Sequence, residues 1–137
     1  MAMNNKCLLV FVGDRHSPKM EPNAPAFVGA RSEPRLKEWI DYITEGVNNY
    51  ILVNSYRAED TKKIRDYAAL VDWRHSHRTP GMPIFIALGN TASLRLTKMK
   101  IRHFKLPHPS GLNRLINNKE YILRQLNICK RYILSLQ

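Results

Sequence analysis

The sequence predicts an α/β protein: a single three-layer α/β/α domain over residues 1–137, with a central four-stranded, mostly parallel sheet between helices. Three observations predict it. Four short apolar runs punctuate the chain, helical patterns fill the intervals between them, and no internal repeat or low-complexity tract offers another organisation. A length of 137 residues is too short for two independent cores of ordinary size.

The elements follow in order. Residues 7–12 (Cys-Leu-Leu-Val-Phe-Val) form a continuous β-rich run that Gly13 ends. Ser32-Glu-Pro-Arg then opens a helix, with Ser32 as N-cap, Pro34 in the first turn, and Leu36, Trp39, Ile40 and Ile43 on one face. Tyr50-Ile-Leu-Val follows Asn48-Asn49 and runs to Asn54 as the second strand. Residues 61–73 place Ile64, Tyr67, Ala68 and Val71 at helical spacing. Residues 84–88 (Ile-Phe-Ile-Ala-Leu) lie between Pro83 and Gly89 as the third strand, and residues 90–96 read as a short helix. Residues 101–106 alternate, as a strand at a sheet edge does, and stop at Pro107. The longest helix, residues 117–136, repeats Ile122, Leu126, Cys129, Ile133 and Leu136. The first three strands are continuously apolar, the pattern of a parallel sheet covered on both faces. Segments 13–31, 73–83 and 107–116 read as loops and hold most of the Gly, Pro, His and Asn.

Composition excludes several classes. Apolar residues make up 44% and charged residues 24%, ordinary globular values that argue against disorder. No window approaches 18 consecutive apolar residues, so no membrane span is expected, and residues 7–12 are too short for a secretory signal. Two cysteines, Cys7 and Cys129, make neither a disulfide framework nor a four-cysteine metal site. A soluble cytoplasmic monomer is the expectation. The 22 Lys and Arg against 11 Asp and Glu give a net charge of +11. Residues 1–73 carry 10 basic and 10 acidic side chains, whereas residues 74–137 carry 12 basic and only Glu120. An acidic polymer, DNA above all, is the partner such a basic half points to, since neutralising phosphates releases condensed counterions. A solvated basic face or contact with anionic lipid is the alternative.

In open parallel sheets ligands bind beyond the carboxyl ends of the strands. Here those ends are Gly13-Asp14-Arg15-His16, Asn54-Ser55, Gly89-Asn90 and Pro107-His108-Pro109-Ser110. They supply a carboxylate, an amide, a glycine leading into a helix, and a histidine.

The order of these segments resembles the uracil-DNA glycosylase superfamily over roughly residues 8–126. A strand ends in Gly13-Asp14; Ala26-Phe-Val-Gly29 leads into a helix; a strand ends in Asn54; then come Ile86-Ala-Leu-Gly-Asn-Thr-Ala92 and His108-Pro-Ser-Gly-Leu-Asn-Arg114. The nearest pattern is that of the thermostable iron–sulfur branch: Gly-Glu-x-Pro-Gly, Pro-Phe-Val-Gly, an Ala-Leu-Gly segment, and His-Pro-Ser before a leucine loop. The resemblance implies a monofunctional glycosylase that flips uracil or a related modified pyrimidine out of DNA and hydrolyses its N-glycosidic bond. Such cleavage passes through an oxocarbenium-like sugar and an anionic leaving base. A carboxylate stabilises the cation and holds the attacking water, while a donor at the base carbonyl stabilises the anion.

The resemblance puts Asp14 at the catalytic carboxylate, Phe27 at the aromatic that stacks on the flipped base, and Asn54 at the amide that reads the pyrimidine edge. It makes His108 the donor to the base carbonyl, Ser110 a phosphate contact, and Leu112, Asn113 and Arg114 the wedge that fills the gap left by the flipped nucleotide. Arg15, His16 and Asn90, at the same strand ends, are expected to meet DNA. Each residue has a plainer reading. Asp14 could cap a turn, Phe27 belong to the core, Asn54 form an Asx-turn and His108 contact the DNA backbone.

The chain also departs from the pattern. Arg15-His16-Ser17-Pro18 replace the proline and small residue expected after the carboxylate. The cluster cysteines are absent, so no iron–sulfur cluster, metal or other cofactor is expected. His75 and His77, in Trp73-Arg-His-Ser-His-Arg78, lack a further ligand set and read as part of a basic, aromatic-containing loop near phosphate; Met82, Met99 and the tyrosines read as packing. A compact basic protein of this kind suits a phage or mobile-element genome, acting then in the host cytoplasm. Two other readings stand beside the enzyme. One is a non-catalytic DNA-binding protein on the same fold, a replication or modification accessory. The other is a nucleotide- or phosphate-binding α/β protein using Gly13 and Gly89, disfavoured because neither a Walker Gly-Lys-Ser/Thr nor a Gly-x-Gly-x-x-Gly occurs.

Overall fold

Each apolar run becomes a strand of one parallel sheet. The computed structural model describes residues 8–14, 32–46, 49–76, 83–109 and 117–136, with side chains throughout except at 72–76. The strands are β1 (Leu9–Gly13), β2 (Tyr50–Asn54), β3 (Ile84–Leu88) and β4 (His103–Leu106). The helices are α1 (Glu33–Thr44), α2 (Ala58–Ser76), α3 (Asn90–Lys98) and α4 (Lys119–Leu136). The sheet order is β2-β1-β3-β4, and every neighbouring pair is parallel.

The two-faced burial of the sheet explains why β1 and β3 are apolar at every position. Leu9 and Phe11 of β1, with Ile84, Ile86 and Leu88 of β3, face a core shared with Leu36, Trp39, Ile40 and Ile43 of α1 and Leu126, Cys129 and Ile133 of α4. Val10, Val12, Phe85 and Ala87 face a second core with Ile64 of α2 and Ala92 and Leu96 of α3. Successive side chains of a strand point to opposite faces, so a strand covered on both sides has no polar position. The edge strand β4 differs as its alternation predicts. Leu106 and Phe104 go to the first core, while Lys105 is exposed and His103 is half-buried. His103 Nδ1 lies 2.8 Å from the Ile101 carbonyl, which can only accept, so Nδ1 donates there, and Nε2 lies 2.7 Å from Ser93 Oγ.

Several boundaries shift from the sequence expectation. Helix α2 runs to Ser76, so residues 73–76 are helical rather than loop. Nothing in Trp73-Arg-His-Ser breaks a helix, and the Pro80-Gly81 turn signal comes later. Ser32 sits at the N-cap of α1 but makes no side-chain cap bond; its carbonyl accepts from Leu36 N–H at 3.0 Å instead. Helix α4 begins at Lys119, where Asn118 Oδ1 accepts from Tyr121 N–H at 3.1 Å. No helix among the described residues is long and apolar enough to cross a membrane.

The strand order divides the sheet by chain half. Residues before 77 build β1 and β2 with α1 and α2, and residues after 82 build β3 and β4 with α3 and α4. The charge asymmetry of the sequence is thereby laid out across the molecule. Lys98, Lys100, Arg102, Lys105, Lys119, Arg124 and Arg131 are all exposed on the β3–β4 half.

Candidate functional site

From β1 the chain leaves toward β2 on one side, and from β3 toward β4 on the other. The carboxyl ends of β1 and β3 are therefore the switch point of the sheet, where a crevice opens between diverging connections. Gly13 and Asp14 stand at one lip, Gly89 and Asn90 at the other.

On the β1–β2 side the parallel ladder continues past the strands. Gly13 is in register with Asn54; Ser55 N–H donates to the Gly13 carbonyl at 2.8 Å, and Tyr56 N–H to the Asp14 carbonyl at 2.9 Å. Asn54 is buried, and its backbone N–H donates to Asp60 Oδ2 at 2.9 Å. Asp60 is itself buried in the first turn of α2, where a carboxylate also meets the positive end of the helix. Thr61 Oγ1 lies 3.1 Å from the Ser55 carbonyl and 2.9 Å from that of Arg57, which fixes the same turn again.

Asp14 is half-buried and tied to a residue that sequence reasoning missed. Arg95, on α3, reaches back over the end of the sheet. Its Nη1 lies 2.7 Å from Asp14 Oδ1, 2.8 Å from Ser55 Oγ and 3.3 Å from the Asp14 carbonyl. The same guanidinium lies 4.4 Å from the centroid of the Tyr56 ring. Charge-assisted bonds of this length hold both partners firmly. The ion pair also joins the two halves of the sheet, since Asp14 follows β1 and Arg95 follows β3. No signal in the sequence pairs them, because their adjacency depends on strand order.

On the other side the loop after β4 packs down onto the start of α3. Gly89 has φ +93° and ψ 174°, a conformation almost confined to glycine. A Cβ there would lie 3.1 Å from the Cβ of His108. Glycine is thus called for by its backbone, and the close approach of the histidine would force a side chain there to displace it by a few tenths of an ångström. Gly89 N–H donates to the Leu106 carbonyl at 2.8 Å, closing the gap between β3 and the end of β4. Burial pushes the His108 imidazole below its usual pKa, and the nearby Asp14 carboxylate acts in the opposite direction. The lowering favours the neutral imidazole near pH 7, the form that carries a single N–H. Pro109 is buried, and its carbonyl accepts from Arg35 Nη1 of α1 at 3.4 Å. Asn90 is exposed, with its Oδ1 accepting from Lys105 Nζ at 2.9 Å.

Of the sequence candidates, Asp14, Asn54, Asn90 and His108 stand together along the carboxyl edge of the sheet. Phe27, Arg15, His16, Ser110, Leu112, Asn113 and Arg114 lie outside the described residues, as do His77, Met82 and Cys7. Two packing expectations are corrected: Tyr56 is 64% exposed, because it follows the strand end and its ring rests on Arg95 rather than in a core, and Tyr42 is exposed on α1, where its hydroxyl donates to Asn127 Oδ1 at 2.7 Å. A cavity of about 290 Å³ lies at the opposite, amino end of β3 and β4, lined by Val71, Phe85, Ile101 and Tyr132 among others, and holds none of the strand-end residues. Among the described residues no three His, Cys, Asp or Glu side chains group as metal ligands do. Comparison with protein-family models, curated proteins and solved structures finds no match to this chain.

Proposed function

We propose that this protein is a DNA glycosylase that releases uracil or a related modified pyrimidine from a flipped nucleotide, with Asp14 and His108 as its catalytic pair. The observation that carries this reading is their convergence. A carboxylate and a neutral, desolvated imidazole meet at the switch point, close enough together for Asp14 to act electrostatically on His108. Hydrolysis breaks the bond between C1′ and the base nitrogen and joins the water oxygen to C1′, while the proton the water loses balances the charge of the base that leaves as an anion. The Asp14 carboxylate faces the developing positive charge on the sugar and accepts a hydrogen bond from the water. Arg95 fixes the direction of that carboxylate. The His108 N–H donates to the base carbonyl as negative charge builds there, and a neutral imidazole does so without first losing a proton. The exposed cations of the β3–β4 half meet phosphates.

The test is incubation with duplex and single-stranded oligonucleotides bearing uracil, hydroxymethyluracil or mismatched thymine, followed by alkaline cleavage of abasic sites. Base release from one of these substrates is the expected result; none from any of them, alongside tight DNA binding, defeats the enzyme reading. A second reading, a non-catalytic DNA-binding protein, draws on the Asp14–Arg95–Ser55 cluster, which would also serve simply to tie the two halves of the sheet together.

A further inference from the structure

We propose that Tyr56 is a stacking plate for a base of the bound strand, at a position distinct from the one the glycosylase resemblance gives to Phe27. The inference rests on the nucleic-acid partner proposed above and adds a residue to it. Tyr56 directly follows the carboxyl end of β2, and its backbone N–H is bonded to the carbonyl of Asp14, so the ring stands beside the candidate carboxylate. With 64% of the residue exposed, it presents aromatic surface to solvent at that place.

The ring is also held ready. The Arg95 guanidinium lies under it at 4.4 Å from the centroid and is itself anchored by Asp14 Oδ1 and Ser55 Oγ. A cation against one face fixes the plane of the ring and draws electron density from it. A ring so fixed loses little further freedom when a flat heterocycle stacks on it. Nucleobases are such heterocycles, and stacking on aromatic side chains is how proteins hold unpaired bases regardless of sequence. The basic β3–β4 half, to which Arg95 belongs, carries the backbone of the same strand past this ring.

The experiment compares two single-stranded polymers of equal length and charge, an oligothymidylate and its counterpart built from base-free deoxyribose analogues, by fluorescence anisotropy. Wild type is expected to bind the base-bearing strand more tightly. Tyr56→Ala and Tyr56→Leu should weaken that binding by about 5- to 150-fold and leave the base-free polymer unaffected, while Tyr56→Phe retains wild-type affinity. Equal losses on both polymers, wild-type affinity in Tyr56→Leu, or equal wild-type affinity for the two polymers overturns the proposal. Should Tyr56→Ala lose its fold by circular dichroism, the contrast between Leu and Phe decides alone. Base release by wild type with no Tyr56 effect defeats the stacking plate only. A Tyr56 effect without base release defeats the glycosylase reading only, and failure of wild type to bind either polymer defeats the stacking plate.

Discussion

The two halves of the sheet are built alike and charged differently. Each contributes two parallel strands and two helices, one helix to each face. Among the described residues the β2–β1 half carries seven Lys and Arg against nine Asp and Glu, whereas the β3–β4 half carries nine against Glu120 alone. The strand ends differ in kind as well. Beyond β1 and β2 the polar groups are cross-tied, through Asp60 to Asn54 and through Arg95 to Asp14 and Ser55. Beyond β3 and β4 close packing prevails, with His108 seated against a glycine and pushed toward neutrality by burial. A site at the junction thus has an oriented anion on one wall and a desolvated donor on the other. The contrast teaches that the two walls are held by different forces and should fail differently.

The anionic wall should give the largest effect. Asp14→Asn keeps the size of the side chain and an oxygen for Arg95 but removes the charge that, in the proposed mechanism, faces the sugar cation. Base release should fall by about a hundredfold to ten-thousandfold, with DNA affinity retained. Single-turnover kinetics on the best substrate of the oligonucleotide panel checks this, and undiminished cleavage would make Asp14 a structural tie.

On the opposite wall His108→Ala should slow release by about a hundredfold, the usual consequence of losing one donor to a developing anion, with little change in binding. A non-catalytic DNA-binding protein would show only a modest loss of affinity.

Gly89→Ala attacks packing rather than charge. Backbone strain at φ +93° and the 3.1 Å approach to His108 should together destabilise the fold by about 1–3 kcal/mol, read as a lowered urea midpoint. Gly46→Ala is the matched control, since Gly46 has φ +84° but open space where its Cβ would stand. Equal losses at the two glycines would show that the approach of His108 adds nothing.

The charge contrast predicts a smaller, graded effect. Replacing Lys98 and Lys119 by Gln should lower the slope of log affinity against log salt by about one for each phosphate that the variant leaves without its cation. The same change at Lys62 and Lys63, on the balanced half, should leave the slope unaltered. Identical slopes for the two double variants would break the comparison.

The smallest effect concerns pH. Because the folded pKa of His108 lies below its ordinary value, the unfolded chain binds more protons as pH drops past about 6.5. Stability is complete above that value and declines as pH falls through it. His108→Asn lacks this component, so its Tm should fall less than that of wild type between pH 7.5 and pH 5.5. Parallel Tm profiles would show that the imidazole titrates as freely in the folded protein as in the unfolded one.

Much of the architecture was legible in residue order alone. Continuous apolar runs at 8–12 and 84–88 follow from burial on both faces, and the alternation of 103–106 follows from burial on one face only; both are local consequences of a two-residue side-chain period. Asp14, Asn54, Asn90 and His108 were legible as strand-end residues for the same reason, since a strand's end is marked in its own sequence. The unequal charge of the two chain halves was legible too. That these halves are also two sides of one sheet was decided by tertiary structure, because the order β2-β1-β3-β4 depends on which strands pair across long stretches of chain. The same order brought Arg95 to Asp14 across 81 positions and set Tyr56 upon it. Helix α3 carries no sign of that role: at position 95 the sequence determines a basic residue on a short helix, and only the packing of α3 against β3 and β4, which lets the Arg95 side chain reach across to Asp14 and Ser55, turns it into the anchor of the candidate site.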